Sequence, residues 1–370
     1  MNPMTPNWFL NNHDVPEIMR GWLASLGVRD PDRGVRDLAD LTRRVGPEKI
    51  GLLSVIAVQL SVVFPRCADA GMALVNLERF LAAVPRLDVT LRTLAENPRR
   101  TEIVVQVFST SQYLTEILIR DPDLLDWLHS GPERPDRSAL IEELWASLAL
   151  VHDEAPQRLA LRRFRRRESL RIGYNDIVRG FPLEVITQDL SDLADACVDV
   201  AVRLARARTE ARYGMPTNAA GEPTRFVVLG LGKLGGQELN YSSDIDLVFL
   251  YEDEGQTVGT RAVSNAEFFA RMGSDVVRLL ADHTELGIAY RVDMRLRPDG
   301  EQGALSLSLD GTLGYYVTRG RTWERQALIK CRPVGGDMSL GETFIEAVKP
   351  FVYRRYLGAA EIAEIKALKR

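Results

Sequence analysis

The chain has few of the residues that build thiolate and imidazole chemistry. Its three cysteines, Cys67, Cys197 and Cys331, and its four histidines, His13, His129, His152 and His283, are scattered. None of their spacings matches a zinc site or a Ser-His-Asp arrangement. With no secretory signal apparent, the cysteines read as reduced thiols in a cytoplasmic protein. A membrane span is also missing. The most apolar run, 51–64, is too short to cross a bilayer and is broken by Ser54, Gln59 and Ser61, so it reads as a buried helix. Nor is there an excess of positive charge. The 47 Lys and Arg against 51 Asp and Glu leave a net charge of -4, which argues against general nucleic-acid binding but allows a local basic site. No fixed-period repeat is visible. What remains is an ordinary soluble composition, 45% hydrophobic and 26% charged, over 370 residues, enough for two or three domains.

Against this background one stretch stands out, FVVLGLGKLGGQELNYSSDIDLVFLY at 226–251. Strand formers at 226–229 lead into a turn containing Gly230, Gly232, Gly235 and Gly236 around Lys233. A second strand, 245–251, follows, with Asp244 and Asp246 at its mouth. The glycines spell G-x-G-x-x-G, but a dinucleotide fold needs a crossover helix before its next parallel strand. The segment 236–244 is too short for one, and its Asn240, Tyr241, Ser242 and Ser243 are loop residues. The spacing instead predicts a strand, a glycine turn with one helical turn, and a strand returning antiparallel. Backbone N–H groups of such a turn can face phosphate oxygens.

Period-two alternation points Asp244 and Asp246 the same way. Two adjacent carboxylates repel, so one should resist ionisation unless a divalent cation sits between them. A third acid lies in AYRVDMRL, 289–296, which reads as a strand with Arg291, Asp293, Arg295 and Arg297 on one face. Both features have plainer readings, as surface acids and as an exposed salt-bridge ladder.

The remainder is mostly helical. Residues 1–16 read as an irregular arm, and 17–211 as helices broken at Pro65, Pro122, Pro132 and Pro135. Leu74, Leu77, Leu81 and Val84 form one apolar face. Leu190, Leu193, Ala194, Cys197, Val200, Ala201 and Leu204 form another. The basic run RRFRRRESLR, 162–171, reads either as a solvated, salt-bridged helix or as one aiming Arg163, Arg166 or Arg167 at a phosphate-rich ligand. Residues 216–224 and 252–259 read as loops. Residues 264–284 read as a helix capped by Ser264 with Glu267 in a capping box. A short strand is expected at 304–309 and helices at 313–317, 322–332 and 359–370. The last has no stop signal, which suggests a piece of a longer chain.

The wording GLGKLGGQELNYSSDIDLVF, YRVDMRLRP and GRTWERQALIKCR resembles the glutamine synthetase adenylyltransferase family, and the glycine turn with its acids resembles polymerase-β-like nucleotidyltransferases. The resemblance covers roughly residues 20–370. It implies an α+β chain: a large all-helical N-terminal region (1–150), a mixed-sheet nucleotidyltransferase domain with packed helices (151–335), and the start of a truncated helical C-terminal segment (336–370). Family members have two related halves, the first removing AMP from glutamine synthetase and the second adding it. Tyr290-Arg291, Trp323-Glu324-Arg325 and the run PFVYRRY at 350–356 resemble the first half.

The implied chemistry is phosphorolysis: inorganic phosphate attacks the adenylyl-tyrosine, releasing ADP and the tyrosine. Asp244, Asp246 and Asp293 are then the catalytic and metal-holding acids, for one or two Mg²⁺. Lys233, Gly235, Gly236, Ser243, Arg295 and Arg297 are the phosphate-facing residues, and Trp323 is either an adenine platform or core. Two other readings stay open: adenylylation from ATP at the same acids, and a non-enzymatic module binding glutamine synthetase or a PII-type signal protein. Neither membrane nor nucleic acid is an expected partner.

Overall fold

The computed structural model describes residues 5–130, 134–148, 150–354, 356 and 358–368. Pro132 and Arg355, named above, lie outside them. The chain divides into two compact units, Met1–Glu133 with Ser169–Pro182, and Arg134–Glu168 with Leu183–Arg370. These boundaries differ from a division at 150 and 335.

The first unit is helical: α1 (Pro6–Asn12), α2 (Pro16–Ser25), α3 (Pro31–Val45), α4 (Ile50–Val63), α5 (Ala70–Ala83), α6 (Leu87–Glu96), α7 (Pro98–Thr110), α8 (Gln112–Arg120) and α9 (Leu124–Ser130). Four of these helices open on proline, whose fixed φ and missing N–H suit the first helical position. The irregular arm expected at 1–16 is corrected. Thr5 accepts a hydrogen bond from Trp8 N–H and caps α1, and Phe9 is buried in the core. Residues 1–4 of that arm lie outside the described part. The apolar run is α4, packed against Leu74, Leu77 and Phe108 in one core. Among the described residues no helix is long and apolar enough to cross a membrane.

The second unit is α+β. It contains α10 (Arg137–Ser147), the start of α11 (Glu154–Ile177), α12 (Leu183–Tyr213), β1 (Met215–Asn218), β2 (Phe226–Leu231), α13 (Gly232–Gly235), β3 (Ile245–Tyr251), β4 (Gly255–Val258), α14 (Asn265–Ala281), β5 (Val292–Asp293), β6 (Ser306–Ser308), α15 (Leu309–Thr318), α16 (Thr322–Leu328), β7 (Arg332–Gly336), α17 (Met338–Val352) and α18 (Ala359–Leu368). The main sheet runs β5-β3-β2-β7. As expected, β2 and β3 are antiparallel neighbours joined through the glycine turn. The far edge of β3 is shared by two short parallel strands, β5 at Ile245–Asp246 and β6 at Phe249–Tyr251.

Both faces of β2 and β3 are covered, which is why the two strands are nearly all apolar. Val227, Leu229, Val248 and Leu250 pack with Tyr315, Tyr316, Phe344 and Phe351 from α15 and α17. On the other face Phe226 and Tyr251 stack on Phe269 of α14, with ring centroids 5.4 and 5.0 Å apart. Asp246 shares the face of Val248 and Leu250 but sits at the strand's open end.

Several expectations change. The loops at 216–224 and 252–259 contain β1 and β4, which pair as an antiparallel ribbon. The helix expected at 322–332 stops at Leu328, and Arg332 begins β7, whose Arg-Pro-Val-Gly-Gly composition hides a strand. Proline is tolerated there because β7 is an edge strand. The capped helix at 264 is realised, with Ser264 Oγ accepting from Glu267 N–H at 3.2 Å.

Candidate active site

The site is built where β3 begins. Asp246 on β3 and Asp293 on β5 are direct partners across a parallel pair. Asp246 is half-buried, and its carboxylate has no hydrogen bond or ion pair among the described residues. Burial raises its pKa above the usual carboxylate value, and the nearby charges of Asp293 and Asp244 push the same way. The expected acid that resists ionisation is therefore Asp246. The pKa of Asp293 moves down instead, because Arg295 donates to both of its oxygens, Nε to Oδ1 at 3.1 Å and Nη2 to Oδ2 at 2.5 Å. Asp244 stands at the rim, 46% exposed, paired with Arg291.

The glycine turn touches this acid pair at Gly232, which the sequence motif does not set apart from its neighbours. Gly232 has φ +56, and a Cβ there would overlap Asp246 Oδ2. Only glycine combines that left-handed backbone with so close an approach. Gly235 and Gly236 serve a different neighbour: a Cβ on Gly235 would overlap the Lys330 carbonyl, and one on Gly236 would press the Lys330 side chain. They make room for the chain entering β7. Lys233 is exposed, with no side-chain partner among the described residues.

The arginine face expected around Asp293 is not formed. β5 is only two residues long. Beyond it Arg295 folds back on Asp293, its own N–H donating to Asp293 Oδ1 at 2.8 Å. Arg297 turns into its own loop and donates to the carbonyls of Met294, Glu301 and Gly303, so it braces the return to β6. Ser243 is likewise committed to its loop, its Oγ donating to Asn240 Oδ1 at 2.7 Å. Trp323 is half-buried on α16. In the basic run, Arg162 is almost wholly buried. It donates to the carbonyls of Leu279, Leu280, Asp282 and Gly287, closing the C-terminal end of α14. That burial lowers its pKa to about 10. Arg167 pairs with Glu143 and Glu168, while Arg163 is exposed.

Among the described residues no three His, Cys, Asp or Glu side chains stand close enough together to hold a metal ion. The three acids are thus not gathered at one point. Two lie side by side, and the third stands at the edge. The pair Asp246 and Asp293 still suits Mg²⁺, which takes one or two carboxylates and fills its remaining positions with water and substrate phosphates. A half-buried carboxylate facing another acid and lacking a protein donor is the kind of oxygen such an ion holds.

A further set of residues fixes this arrangement from behind. α12 carries Asp189, Asp192, Asp195 and Asp199 at helical spacing, and three of them are almost fully buried. Arg332 of β7 grips Asp195 with two hydrogen bonds, 2.5 and 2.9 Å, and also donates to the carbonyl of Leu234 in the glycine turn at 3.1 Å. The acid row is legible in the sequence as a repeat of three and four, but its arginine partners are not.

Comparison with known proteins agrees with this architecture. The family model described as "Glutamate-ammonia ligase adenylyltransferase" matches residues 101–347. A protein of Thioalkalivibrio sulfidiphilus named bifunctional glutamine synthetase adenylyltransferase/adenylyl-removing enzyme is 41% identical over 271 residues, covering 72% of this chain and 28% of the relative. Its namesake from Pseudomonas aeruginosa is 40% identical over 317 residues, covering 84% of this chain and 32% of the relative. The matched stretch therefore spans under a third of these relatives. With 247 of 370 residues inside the family model, the chain belongs to the glutamate-ammonia ligase adenylyltransferase family.

Proposed function

We propose that this chain is the adenylyl-removing part of such an enzyme, and that it transfers AMP from a tyrosine of glutamine synthetase to inorganic phosphate in the cytoplasm. The observation that carries the reading is the carboxylate pair Asp246–Asp293, set in register beside a glycine turn that touches one of the acids. A phosphate oxygen forms a bond to the adenylyl phosphorus, and the bond to the tyrosyl oxygen breaks. The products are ADP and tyrosine, whose phenolate takes a proton from solvent. Asp246 and Asp293, with Asp244 at the rim, would hold magnesium, which would offset the charge of the entering and leaving oxygens.

This chain's own residues do the rest. Phosphate is already an anionic nucleophile, so the barrier lies in bringing two anions together. Lys233, exposed beside the turn, is placed to offset that charge. Arg295 and Arg291 sit on the acids and are 70% and 65% exposed, free to turn toward phosphate oxygens. The choice of the removing over the adding reaction rests on Tyr290-Arg291 and Trp323-Glu324-Arg325.

The test is to incubate the chain with AMP-modified glutamine synthetase, Mg²⁺ and phosphate. ADP should accumulate in proportion to the unmodified enzyme formed. Labelling of glutamine synthetase from ATP without ADP release from the modified form would instead assign the adding reaction. Absence of both, with retained binding to glutamine synthetase or a PII-type protein, would make the chain a binding module.

A further inference from the structure

We propose that Arg332 is a positioning residue for the candidate active site, acting through the carbonyl of Leu234 to hold the glycine turn at its working distance from Asp246. The inference rests on the phosphate-transfer reading of that site.

The route is short. Asp195 is fully buried on α12, and it receives both Arg332 Nη1 and Nη2. Arg137 of α10 adds a second cation, its Nε 3.3 Å from Asp195 Oδ2. Two-point attachment fixes the plane of the Arg332 guanidinium, because a fork of N–H groups on a carboxylate has little rotational freedom. The same Nη2 that meets Asp195 Oδ1 also reaches Leu234 O. Leu234 lies two residues after Gly232, which approaches the Asp246 carboxylate too closely to leave room for a Cβ. A shift of the turn therefore moves its backbone toward or away from that acid.

The turn is packed through the fully buried Leu234 side chain, but among the described residues few other polar side-chain contacts reach it. It is a single helical turn flanked by left-handed residues, Gly232 at φ +56 and Gln237 at φ +55. Beyond it, Leu239 N–H reaches Ser191 Oγ at a long 3.4 Å, and Glu238 meets Lys330 at the surface. The Arg332 contact is the charge-assisted one, part-buried and anchored on the fully buried Asp195. Arg137 provides an internal comparison. It meets the same Asp195 as an ion pair, but it donates its hydrogen bond to Val334 O on β7, away from the turn.

Three variants of this chain test the proposal: Arg332→Lys, Arg137→Lys, and the double variant Asp195→Asn with Arg332→Met, which removes both partners of the buried pair and serves if the lysine variant folds poorly. Hydrogen exchange is followed at the amides of Gly236, Gln237 and Glu238, which close the turn. Both Arg332 variants should exchange there on the order of tenfold faster than wild type, and Arg137→Lys at the wild-type rate. In turnover, the KM for inorganic phosphate should rise on the order of tenfold with kcat nearly unchanged, since a misplaced turn weakens phosphate placement. Mere loss of folded protein would lower kcat and leave KM alone. Wild-type protection in both Arg332 variants, or equal loosening in Arg137→Lys, would overturn the proposal. If wild-type protein turns over neither phosphate nor ATP, the phosphate-transfer reading fails, and the exchange result still decides whether Arg332 holds the turn.

Discussion

Replacing Asp246 by asparagine separates a catalytic acid from a structural one. Asp246 and Asp293 are partners on adjacent parallel strands, and strands lie about 5 Å apart. Two full charges at that distance repel by roughly 3 kcal/mol at an effective dielectric of about 20. Arg295 neutralises much of Asp293, so the net repulsion relieved is on the order of 1 kcal/mol. Asp246 also bears the cost of burial without a hydrogen-bond donor. The asparagine side chain has the same shape, keeps the contact with Gly232, and can donate to Asp293. Without divalent metal, the melting temperature should stay level or rise by about 2–4 °C. The sign with pH follows from the raised pKa. The folded chain holds the Asp246 proton more tightly than the unfolded chain, so the wild-type penalty is full at neutral pH and vanishes once both states are protonated. The advantage of the asparagine variant should therefore fade below the ordinary carboxylate range. With Mg²⁺ and substrate, turnover should fall by at least roughly 10²-fold. A drop in melting temperature of more than about 5 °C in the metal-free protein, beyond what a loss of about 1 kcal/mol explains, would refute the reasoning and make Asp246 a structural residue. Turnover within tenfold of wild type would refute the catalytic role.

Other substitutions probe the supports of the site. Gly232→Ala forces a side chain into a left-handed position and onto Asp246 Oδ2, so it should cost about 1–3 kcal/mol in denaturant unfolding and lower turnover as well. Arg162→Met removes a buried guanidinium from four carbonyls at the end of α14 and should cost about 3 kcal/mol or more, with the KM for phosphate unchanged in the folded fraction. Asp195 has its pKa pushed up to about 6 by burial, against the pull of Arg332 and Arg137. Folding therefore takes up a proton there as pH falls below about 6. The stability of wild type relative to Asp195→Asn should improve by about 1 kcal/mol between about pH 7 and pH 5, read from paired unfolding curves. A difference that moves the other way or stays constant would contradict that burial effect.

The strand-turn-strand unit was legible because its signals are local. Four apolar strand formers, a cluster of glycines and a short polar loop leave no length for a crossover helix, so β2 and β3 had to be antiparallel. The helical stripes were legible for the same reason; Leu190 through Leu204 are buried as their spacing required. Asp244 and Asp246 were visible as a pair from period two alone. What misled was continuity. AYRVDMRL alternates like a strand, but the chain leaves the sheet after Asp293 because β6 takes the rest of the β3 edge. Arg295 and Arg297 then find partners inside their own loop. RPVGG carries no strand signature, and Arg332 is expected to end a helix, yet the segment forms an edge strand because β2 offers an open side.

By itself the amino-acid order determined most of the helices, the central antiparallel pair, the glycine turn and the three candidate acids, because each depends on residues within a turn or a strand of one another. Tertiary structure decided which acids meet, which glycine touches them, and which arginines are braces. Those outcomes depend on chain segments far apart in sequence: Asp293 reaches Asp246 only through the register of β5 on β3, and Arg332 reaches Leu234 only because α12 brings Asp195 beneath β7. A side chain's chemical type is local, but its partner is chosen by packing.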